Sequence, residues 1–532
     1  MELPPSVFEF SADLAGSSEP PHARRVDCQV VHVESGAEQR IPCFWTGGTT
    51  WTARIRAAES GGYRCSIADQ MQEIEVSVGP AGSWAPELRR EAGRRYLRTR
   101  EGEPFFWMAD TWWYGLSERI GFPAEFDEFL AKRRDQGFTV VQIVAGLYPE
   151  VEAFDRLGET GGRWPWLSGF TGLDPEWWAA ADERILAVAQ AGIVPAVVGA
   201  WSYYLQDMGD ELITDHWRQI VARWAALPVL WCVTGEGGLP HYSELSSPDL
   251  QQRVDDLRFR WRAIAQQVRD WDPYDRPMTV HPCPAFAHYS STDVFGDREL
   301  LDLIWLQTGH SDQSSVPPSL DACDREVAAE PVRPVVNSEV CYEGIAGGSA
   351  APLQRFLFWS HVLSGAAGHT YGAQGLWAFR NAEDPGPGHA WGGASWREAA
   401  VLPGAAQVGA GARILRSLPW AGLRPEPESV TPHADPDDRF GPYAAGSDVL
   451  RVVYFPPTSM RPLGTAAADY REVTLHGLAG AGWDVRVMDP RTGAEVERHR
   501  IEPGNDSWQL PRVERATALP TMEDWVLVCE RR

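Results

Sequence analysis

The strongest constraint on the fold is a strand–loop–helix rhythm that runs from about residue 97 to residue 417. Eight short apolar segments read as strands: residues 104–110, 138–144, 193–201, 229–236, 277–282, 301–309, 333–340 and 368–377. Helical patterns separate many of them: residues 124–137, 175–192, 213–228, 249–271, 351–365 and 404–418. Eight such strands over roughly 320 residues predict an α/β fold, a (β/α)8 TIM barrel. The rival, a doubly wound open sheet, normally carries a glycine-rich loop after its first strand, and this chain has none there.

The regions on either side of the barrel have a different pattern. Their strands are short, alternate between apolar and polar residues, and are separated by turn residues, which is typical of β-sandwiches. We therefore expect three domains: an N-terminal β-sandwich over residues 1–88, the barrel over 89–417 and a C-terminal β-sandwich over 418–532.

Charge and composition exclude several kinds of partner. The 532 residues include 48 Lys and Arg against 73 Asp and Glu, a net charge of −25. Nucleic acid or an anionic membrane as a main partner would need a basic surface. Tryptophan is abundant, with 25 residues, and its flat rings suit either sugar stacking or large cores. The sequence leaves open whether the chain forms a homo-oligomer.

The N-terminus lacks the basic and apolar regions of a secretory signal, and no stretch of eighteen apolar residues is present. We therefore expect a cytoplasmic protein without a membrane span. Its eight cysteines form no CxxC pair, which favours reduced, buried thiols. Cys28, Cys43 and Cys65 share the first domain and could pair if the protein were exported by another route.

Two glutamates end predicted strands of the barrel. Glu236 closes the fourth strand and Glu339 closes the seventh, so both should face the mouth of the barrel, where active sites of this fold lie. Two carboxylates facing each other across a sugar-sized gap are what cleavage of a glycosidic bond requires. Either residue alone could be a structural ion-pair partner, and the pairing favours catalysis. Glu211 and Glu343 are weaker candidates because both lie in loops.

Further polar and aromatic residues lie at or near strand ends. Asp110 could accept two sugar hydroxyls, with Trp112 as a stacking surface, although Asp110 could equally cap a helix. Gln142 lies within the second strand, and the direction of its side chain depends on the register. The remaining candidates for substrate binding are Trp201, His281, Gln307, His310, Tyr342, His369, Tyr371 and Trp377.

No motif indicates a cofactor. The histidines lack the spacing of metal ligands, no GxSxG elbow marks a serine nucleophile, and the glycine-rich run at 365–375 lacks the lysine of a phosphate loop. We expect no metal and no cofactor, and an oligosaccharide or other glycoside as substrate.

Four segments resemble the apiosidase-like glycoside hydrolases, a group of retaining (β/α)8 enzymes. They are FFWMADTWW, VLWCVTGE, PVVNSEVCYEG and, most specifically, GHTYGAQGLW. The flanking regions resemble the β domains that often precede and follow that barrel. The resemblance implies hydrolysis of a pentofuranoside, such as one of apiose or arabinose, with Glu236 as acid/base and Glu339 as nucleophile. We predict exo action on a short oligosaccharide.

The chain departs from the wider clan at one position and leaves two alternatives open. Gly235 stands where an Asn usually precedes the acid/base residue, so contact with the 2-hydroxyl of the sugar must come from elsewhere. An open groove lined by Trp177, Trp178 and Trp201 would favour an endo-acting hydrolase of a pyranose glycan. The other alternative is a non-catalytic carbohydrate-binding protein, against which the two glutamates argue.

Overall fold

The computed structural model describes residues 2–14, 16–384, 386–388, 391–462, 470, 472–478, 480–510 and 523–532. Residues 7–76 form two antiparallel sheets, in the orders β1-β5-β4 and β3-β2-β6-β7. Their strands are β1 (Val7–Asp13), β2 (Asp27–His32), β3 (Glu38–Pro42), β4 (Phe44–Gly47), β5 (Thr50–Arg56), β6 (Gly61–Ile67) and β7 (Gln70–Val76). A small antiparallel sheet of β8 (Leu88–Arg89), β9 (Leu97–Thr99) and β10 (Pro104–Phe105) leads into the barrel.

Eight parallel strands follow in sequential order around the barrel. They are β11 (Trp107–Thr111), β12 (Val140–Val144), β13 (Val194–Val198), β14 (Leu230–Cys232), β15 (Met278–Thr279), β16 (Ile304–Gln307), β17 (Val335–Glu339) and β18 (Gly368–Tyr371). Seven of them lie within a predicted segment, and β11 extends one residue beyond its segment, to Thr111. All of their residues are buried, because helices cover one face of the sheet and the barrel interior covers the other.

The barrel closes between β15 and β16 through side chains rather than a direct strand ladder. The Ser291 hydroxyl donates to the carbonyl oxygen of Val280 (2.6 Å) and accepts from the backbone N–H of Trp305 (2.8 Å). The backbone N–H of Gln307 donates to the carbonyl of Tyr289. The segment around residue 290 therefore fills the seam, and the predicted barrel is confirmed.

The six predicted helical stretches all form. The helices are α1 (Ala124–Asp135), α2 (Pro175–Gln190), α3 (Tyr204–Trp224), α4 (Leu250–Trp271), α5 (Ser291–Phe295), α6 (Val316–Ala328), α7 (Ala351–Leu363), α8 (Trp396–Ala399) and α9 (Pro403–Arg416). The sequence did not indicate α6, which begins with two prolines in its first turn, where proline is tolerated. Helix α3 starts at Tyr204, before the predicted boundary, and Gly209 with a positive φ of +72° interrupts its first turns.

Antiparallel sheets return after α9, which agrees with the predicted fold class. They have the orders β19-β21-β22-β27-β24-β25 and β20-β23-β26. The strands are β19 (Arg424–Pro425), β20 (Val430–Thr431), β21 (Tyr443–Gly446), β22 (Leu450–Phe455), β23 (Thr474–Leu475), β24 (Trp483–Asp489), β25 (Ala494–Ile501), β26 (Trp508–Gln509) and β27 (Trp525–Arg531).

Buried ion pairs fasten both flanking regions to the barrel. Arg54 on β5 pairs with Asp182 on α2 (3.0 Å), and Arg355 on α7 pairs with Asp524 (2.6 Å). All eight cysteines are free and buried. In the part of the chain that the structure describes, no helix is long and apolar enough to cross a membrane.

Candidate active site

A cavity of about 200 Å³ opens at the carboxyl ends of the barrel strands. It is lined by Trp113, Pro149, Glu150, Trp201, Glu236, Leu239, Tyr242, Leu245, Cys283, Pro284, Ala285, Gln307, His310, Glu339, Tyr342, Ile345, Gln374, Trp377 and Trp391. These residues come from the loops of all eight strands or from the strand ends themselves, as expected of an active site in this fold.

Glu236 reaches the cavity because the pairing of β13 with β14 continues past both strands. Trp201 and Gly235 form a parallel bridge, and the chain then turns at Glu236, which has a left-handed φ of +47°. Such a backbone conformation is unfavourable for glutamate and recurs at functional sites. The turn leaves the Glu236 carboxyl half-buried at the cavity wall.

Glu339 faces the cavity because of a β-bulge. The register between β16 and β17 shifts so that Leu306 is opposite Asn337 while Gln307 is opposite Glu339, which leaves Ser338 as the extra residue. The Ser338 hydroxyl donates to the carbonyl of Leu306 (2.8 Å). Asn337 lies outside, beside His361 of α7, and the bulge turns Glu339 inward.

One amide group connects the two carboxyls. Nε2 of Gln307 donates to Oε1 of Glu236 (3.3 Å) and to Oε1 of Glu339 (3.1 Å). These two oxygens can therefore be no farther apart than the sum of the two distances, about 6.4 Å. The structure thus places the glutamates of strands four and seven next to each other in the cavity, on the same Gln307 amide.

Two histidines contact the Glu339 carboxylate. Nδ1 of His310 accepts from the backbone N–H of Tyr342 (3.3 Å), so its proton is on Nε2, which donates to Oε1 of Glu339 (2.9 Å). Nε2 of His281 lies 3.3 Å from Oε2 of Glu339. Burial by itself would raise the pKa of Glu339, but the hydrogen bonds and electrostatic attraction of His281 and His310 outweigh it and lower the pKa to about 2.

The pKa of Glu236 is shifted in the opposite direction. Burial, and next the negative charge of Glu339, raise it to about 7. Hydrogen bonds from Nε1 of Trp201 (3.2 Å to Oε2) and from Gln307 only partly offset this rise. The two carboxyls therefore differ in protonation near neutral pH: Glu339 is fully ionised, whereas about half of the Glu236 carboxyls hold a proton.

The structure gives a physical reason for glycine at position 235. A Cβ atom there would lie 2.1 Å from Cε3 of Trp201. The indole therefore occupies the space that an Asn side chain would need, and it also hydrogen-bonds Glu236. At Gly235 the neighbour of the Glu236 carboxyl is thus Trp201 and not an Asn side chain.

Seven of the sequence-predicted site residues line the cavity: Trp201, Glu236, Gln307, His310, Glu339, Tyr342 and Trp377. His281 lies directly behind Glu339. Tyr342 accepts a hydrogen bond at its hydroxyl from Nε1 of Trp113 (3.1 Å) and packs against His310, with ring centroids 4.6 Å apart.

Asp110 and Trp112 do not reach the cavity, and the expectation that they contact substrate is corrected. Asp110 is fully buried on the outer face of β11 in an ion pair with Arg133 of α1 (2.5 Å). It also accepts from Nε1 of Trp112 (2.8 Å), whose ring stacks on Phe129. Trp113, one residue later, faces inward instead.

Three other predicted residues are also directed elsewhere. His369 faces the helix layer, where it packs against Phe358 and His361. The Tyr371 hydroxyl donates to Glu343 (2.6 Å), so both residues are part of the buried structure outside the cavity. Gln142 is fully buried and lies deeper in the barrel, two residues before the end of β12. None of the three predicted residues lines the cavity.

The three tryptophans named for an endo-acting enzyme do not line a common groove. Trp177 and Trp178 are 1% exposed, and Trp178 packs against Trp224 of α3. Of the three tryptophans, only Trp201 lines the cavity.

Sequence reasoning missed several cavity residues, among them Glu150, Tyr242, Leu245, Gln374 and Trp391. All five lie in loops, where no periodic pattern predicts the direction of a side chain. A signal was available only for Trp113, because side chains alternate along a strand. Among the described residues, no group of three or more His, Cys, Asp or Glu has the arrangement of a metal site.

Comparison with known proteins agrees with this geometry. The sequence model described as "Apiosidase-like, catalytic domain" matches residues 91–422, more than half of the chain. No curated protein sequence matches the chain.

Solved structures of the same fold include a glycoside hydrolase (19% identity, TM-score 0.63), which covers 84% of this chain and 98% of its own. A family 5 glycoside hydrolase from Bacteroides vulgatus ATCC 8482 has 21% identity and a TM-score of 0.63 over 84% of this chain and 95% of its own. A putative glycoside hydrolase from the same organism has 15% identity and a TM-score of 0.65 over 99% of both chains.

At these identities the solved structures support the fold, while the match to the catalytic-domain family covers the barrel and its cavity. The chain is a glycoside hydrolase and belongs to the apiosidase-like family.

Proposed function

We propose that the protein is a retaining, exo-acting glycosidase that releases a pentofuranose from a short glycoside. The observation that carries this proposal is the bridging of Glu236 and Glu339 by the Gln307 amide, together with the opposite shifts of their pKa values. One carboxyl holds a proton and the other holds a negative charge at the same pH, which is what the first step needs.

In the first step, the ionised Glu339 attacks the anomeric carbon while Glu236 donates its proton to the glycosidic oxygen. The bond between that carbon and oxygen breaks, and the alcohol leaves. The N–H of His310 holds Oε1 of Glu339, so the carboxylate is positioned before the substrate binds.

In the second step, Glu236 acts as a base. Once Glu339 is esterified it carries no charge, so the repulsion that helps to raise the pKa of Glu236 is gone. The ionised Glu236 then takes a proton from water, the water oxygen attacks the anomeric carbon, and Glu339 leaves as a carboxylate.

The separation of the carboxyls supports retention of configuration. Retaining glycosidases place them about 5–5.5 Å apart, whereas inverting enzymes leave roughly 6.5–9.5 Å for a water molecule. The two Gln307-bound oxygens are at most about 6.4 Å apart, a spacing that accommodates the retaining geometry.

Two features support the exo and furanoside parts of the proposal. The cavity is compact, about 200 Å³, which suits one sugar ring better than several. The family of the chain is described as apiosidase-like, and apiose is a pentose that forms furanosides.

The test is turnover of 4-nitrophenyl furanosides and pyranosides by the wild type, Glu236→Gln and Glu339→Gln. We expect the wild type to release 4-nitrophenol from one furanoside. On a glycoside of the same sugar with a poorer leaving group, both variants should lose at least about 10³-fold in kcat/KM. Release from pyranosides alone, or full turnover by Glu339→Gln, would contradict the proposal.

Azide separates the two roles. With Glu236→Ala, azide should restore turnover of the 4-nitrophenyl substrate and give a glycosyl azide of retained configuration. With Glu339→Ala, the rescued product should have inverted configuration. The reverse pattern, read by proton NMR of the products, would exchange the two assignments.

A further inference from the structure

The cavity has two unlike sides. Loops after β12, β16 and β18 contribute polar groups, including Glu150, His310 and Gln374. Loops after β14 and β15 contribute what we call the apolar wall: Leu239, Tyr242, Leu245, Cys283, Pro284 and Ala285. Among the described residues that line this second side, Glu236 alone is charged.

The apolar wall is only partly buried. Leu239 and Cys283 are nearly fully buried, whereas Tyr242 is 46% and Leu245 is 38% exposed at the cavity mouth. Large apolar side chains exposed together beside polar groups mark binding surfaces. A ligand in the cavity would remove both side chains from water.

The turn that carries Tyr242 is held in place from outside the cavity. The carboxyl of Glu244, in the same turn, accepts from Nε2 of Gln206 (2.7 Å) and from Arg253 (2.8 Å). The Tyr242 ring lies 6.0 Å from the ring of Tyr203. The wall is therefore positioned in advance, which favours its use in binding.

The position of Glu236 determines which part of a substrate meets this wall. Glu236 begins the loop that carries Leu239, Tyr242 and Leu245, and the backbone N–H of Leu239 donates to its carbonyl (2.9 Å). The proton of Glu236 goes to the glycosidic oxygen, so the aglycone, the group attached to that oxygen, lies on the same side.

We propose that the apolar wall is a binding site for a hydrophobic, ring-shaped aglycone, so that the substrate is a glycoside of an aryl or alicyclic alcohol. This inference rests on the proposed function. A sugar aglycone would bring hydroxyl groups against a surface whose side chains offer them only the Tyr242 hydroxyl, and unpaired polar groups lose binding energy. A flat or apolar ring has no such cost and gains from contact with Tyr242 and Leu245.

The test compares two substrates with the same glycone, the one found with the nitrophenyl panel. One is its benzyl glycoside, and the other carries the glycone on the 6-hydroxyl of glucose. Both leaving groups are primary alcohols, so the chemical step is similar. We expect the wild type to prefer the benzyl glycoside roughly tenfold or more in kcat/KM.

Variants of the wall should act on one substrate only. Tyr242→Ala and Leu245→Ser should lower kcat/KM for the benzyl glycoside roughly tenfold and change the disaccharide less than about twofold. The control is Phe259→Ala, on α4 and 73% exposed outside the cavity, which should change neither. A preference for the disaccharide, or equal losses on both substrates, would overturn the inference.

Failure of the proposed function would look different, because the panel would then show release from pyranosides alone, full turnover by Glu339→Gln, or no release at all. The wall can still be tested by saturation-transfer NMR with benzyl alcohol as the probe. Transfer to the ring that is strong in the wild type and weak in Tyr242→Ala would support the binding site. Equal transfer in both proteins would overturn it.

Discussion

Glu236 and Glu339 are the same residue type at the ends of two barrel strands, yet their surroundings separate them. Glu339 receives the hydrogen bond of His310 and the contact of His281, whereas Glu236 faces the negative charge of Glu339. The difference arises from which partners each carboxyl contacts, and it leads to one prediction about catalysis and two about stability.

The first concerns the indole of Trp201. Because its N–H lowers the pKa of Glu236, Trp201→Phe should raise that pKa above about 7. The fall of kcat/KM on the alkaline side, where Glu236 loses its proton, should move to higher pH. The matched control is Trp377→Phe, whose indole donates to Gln374 and to neither carboxyl. If the alkaline limb of the kcat/KM profile moves equally in both variants, the role of Trp201 is contradicted.

The second concerns stability. Folding raises the pKa of Glu236 from 4.5 to about 7, so the folded state binds more protons and loses stability as pH rises through this window. Glu236→Gln should therefore melt at a higher temperature than the wild type at pH 8, and the difference should shrink towards pH 4.

Glu339→Gln provides the opposite case. Its pKa is lowered to about 2, so the ionised form stabilises the fold above pH 4.5, and that contribution is lost as pH falls through 2. We expect this variant to melt below the wild type at pH 8. Calorimetric melting curves that shift in the same direction for both variants would contradict the assigned pKa shifts.

At the scale of elements, strand register decides which residues face the cavity. The bulge at Ser338 turns Glu339 inward, while Asp110 faces α1 because it lies one residue away from the inward-facing Thr111 on β11. Its partner Arg133 also packs on Phe129, with the guanidinium carbon 4.7 Å from the ring centroid. The pair joins β11 to α1.

Asp110→Ala should therefore lower stability without removing a substrate contact. Loss of the carboxylate leaves Arg133 buried without its partner, which costs about 3–5 kcal/mol. Urea unfolding should show this loss, whereas kcat/KM of the folded variant should stay within about threefold of the wild type. Asp127→Ala, an exposed carboxylate on α1, is the control. A large rise in KM with unchanged stability would return Asp110 to the binding site.

At the scale of the molecule, buried ion pairs connect the N-terminal sheets with the barrel. Asp182 on α2 accepts from Arg54 of β5 (3.0 Å), from Arg223 of α3 (2.9 Å) and from Nε1 of Trp224 (2.7 Å). One carboxylate thus pairs with two buried arginines from different regions of the chain.

Asp182→Ala should lower the free energy of unfolding by about 3–5 kcal/mol, because two arginines then face each other without the shared carboxylate. Hydrogen–deuterium exchange should rise in both α2 and β5. Glu9, the other partner of Arg54, is 36% exposed. Glu9→Ala should therefore lower the free energy of unfolding much less. Faster exchange in β5 alone would mean that the pair does not couple the two regions.

Local patterns were enough to predict the architecture. Each of the eight barrel strands lies inside a predicted segment apart from Thr111 at the end of β11, because apolar runs and amphipathic helices can be predicted from the order of residues. The site was only partly predictable. Trp113 and Asp110 are three residues apart and therefore lie on opposite faces of the sheet. This alternation, not residue type, decides that Trp113 lines the cavity and Asp110 contacts Arg133.

The sequence alone thus determined the order of strands and helices, and with it which two glutamates end strands four and seven. Only the tertiary structure decided that these carboxyls meet through Gln307 and differ in pKa, and that an apolar wall borders Glu236. The physical reason is range. Periodicity acts between neighbours in the chain, whereas hydrogen bonding, desolvation and a one-residue bulge act between residues that only the closed barrel brings together.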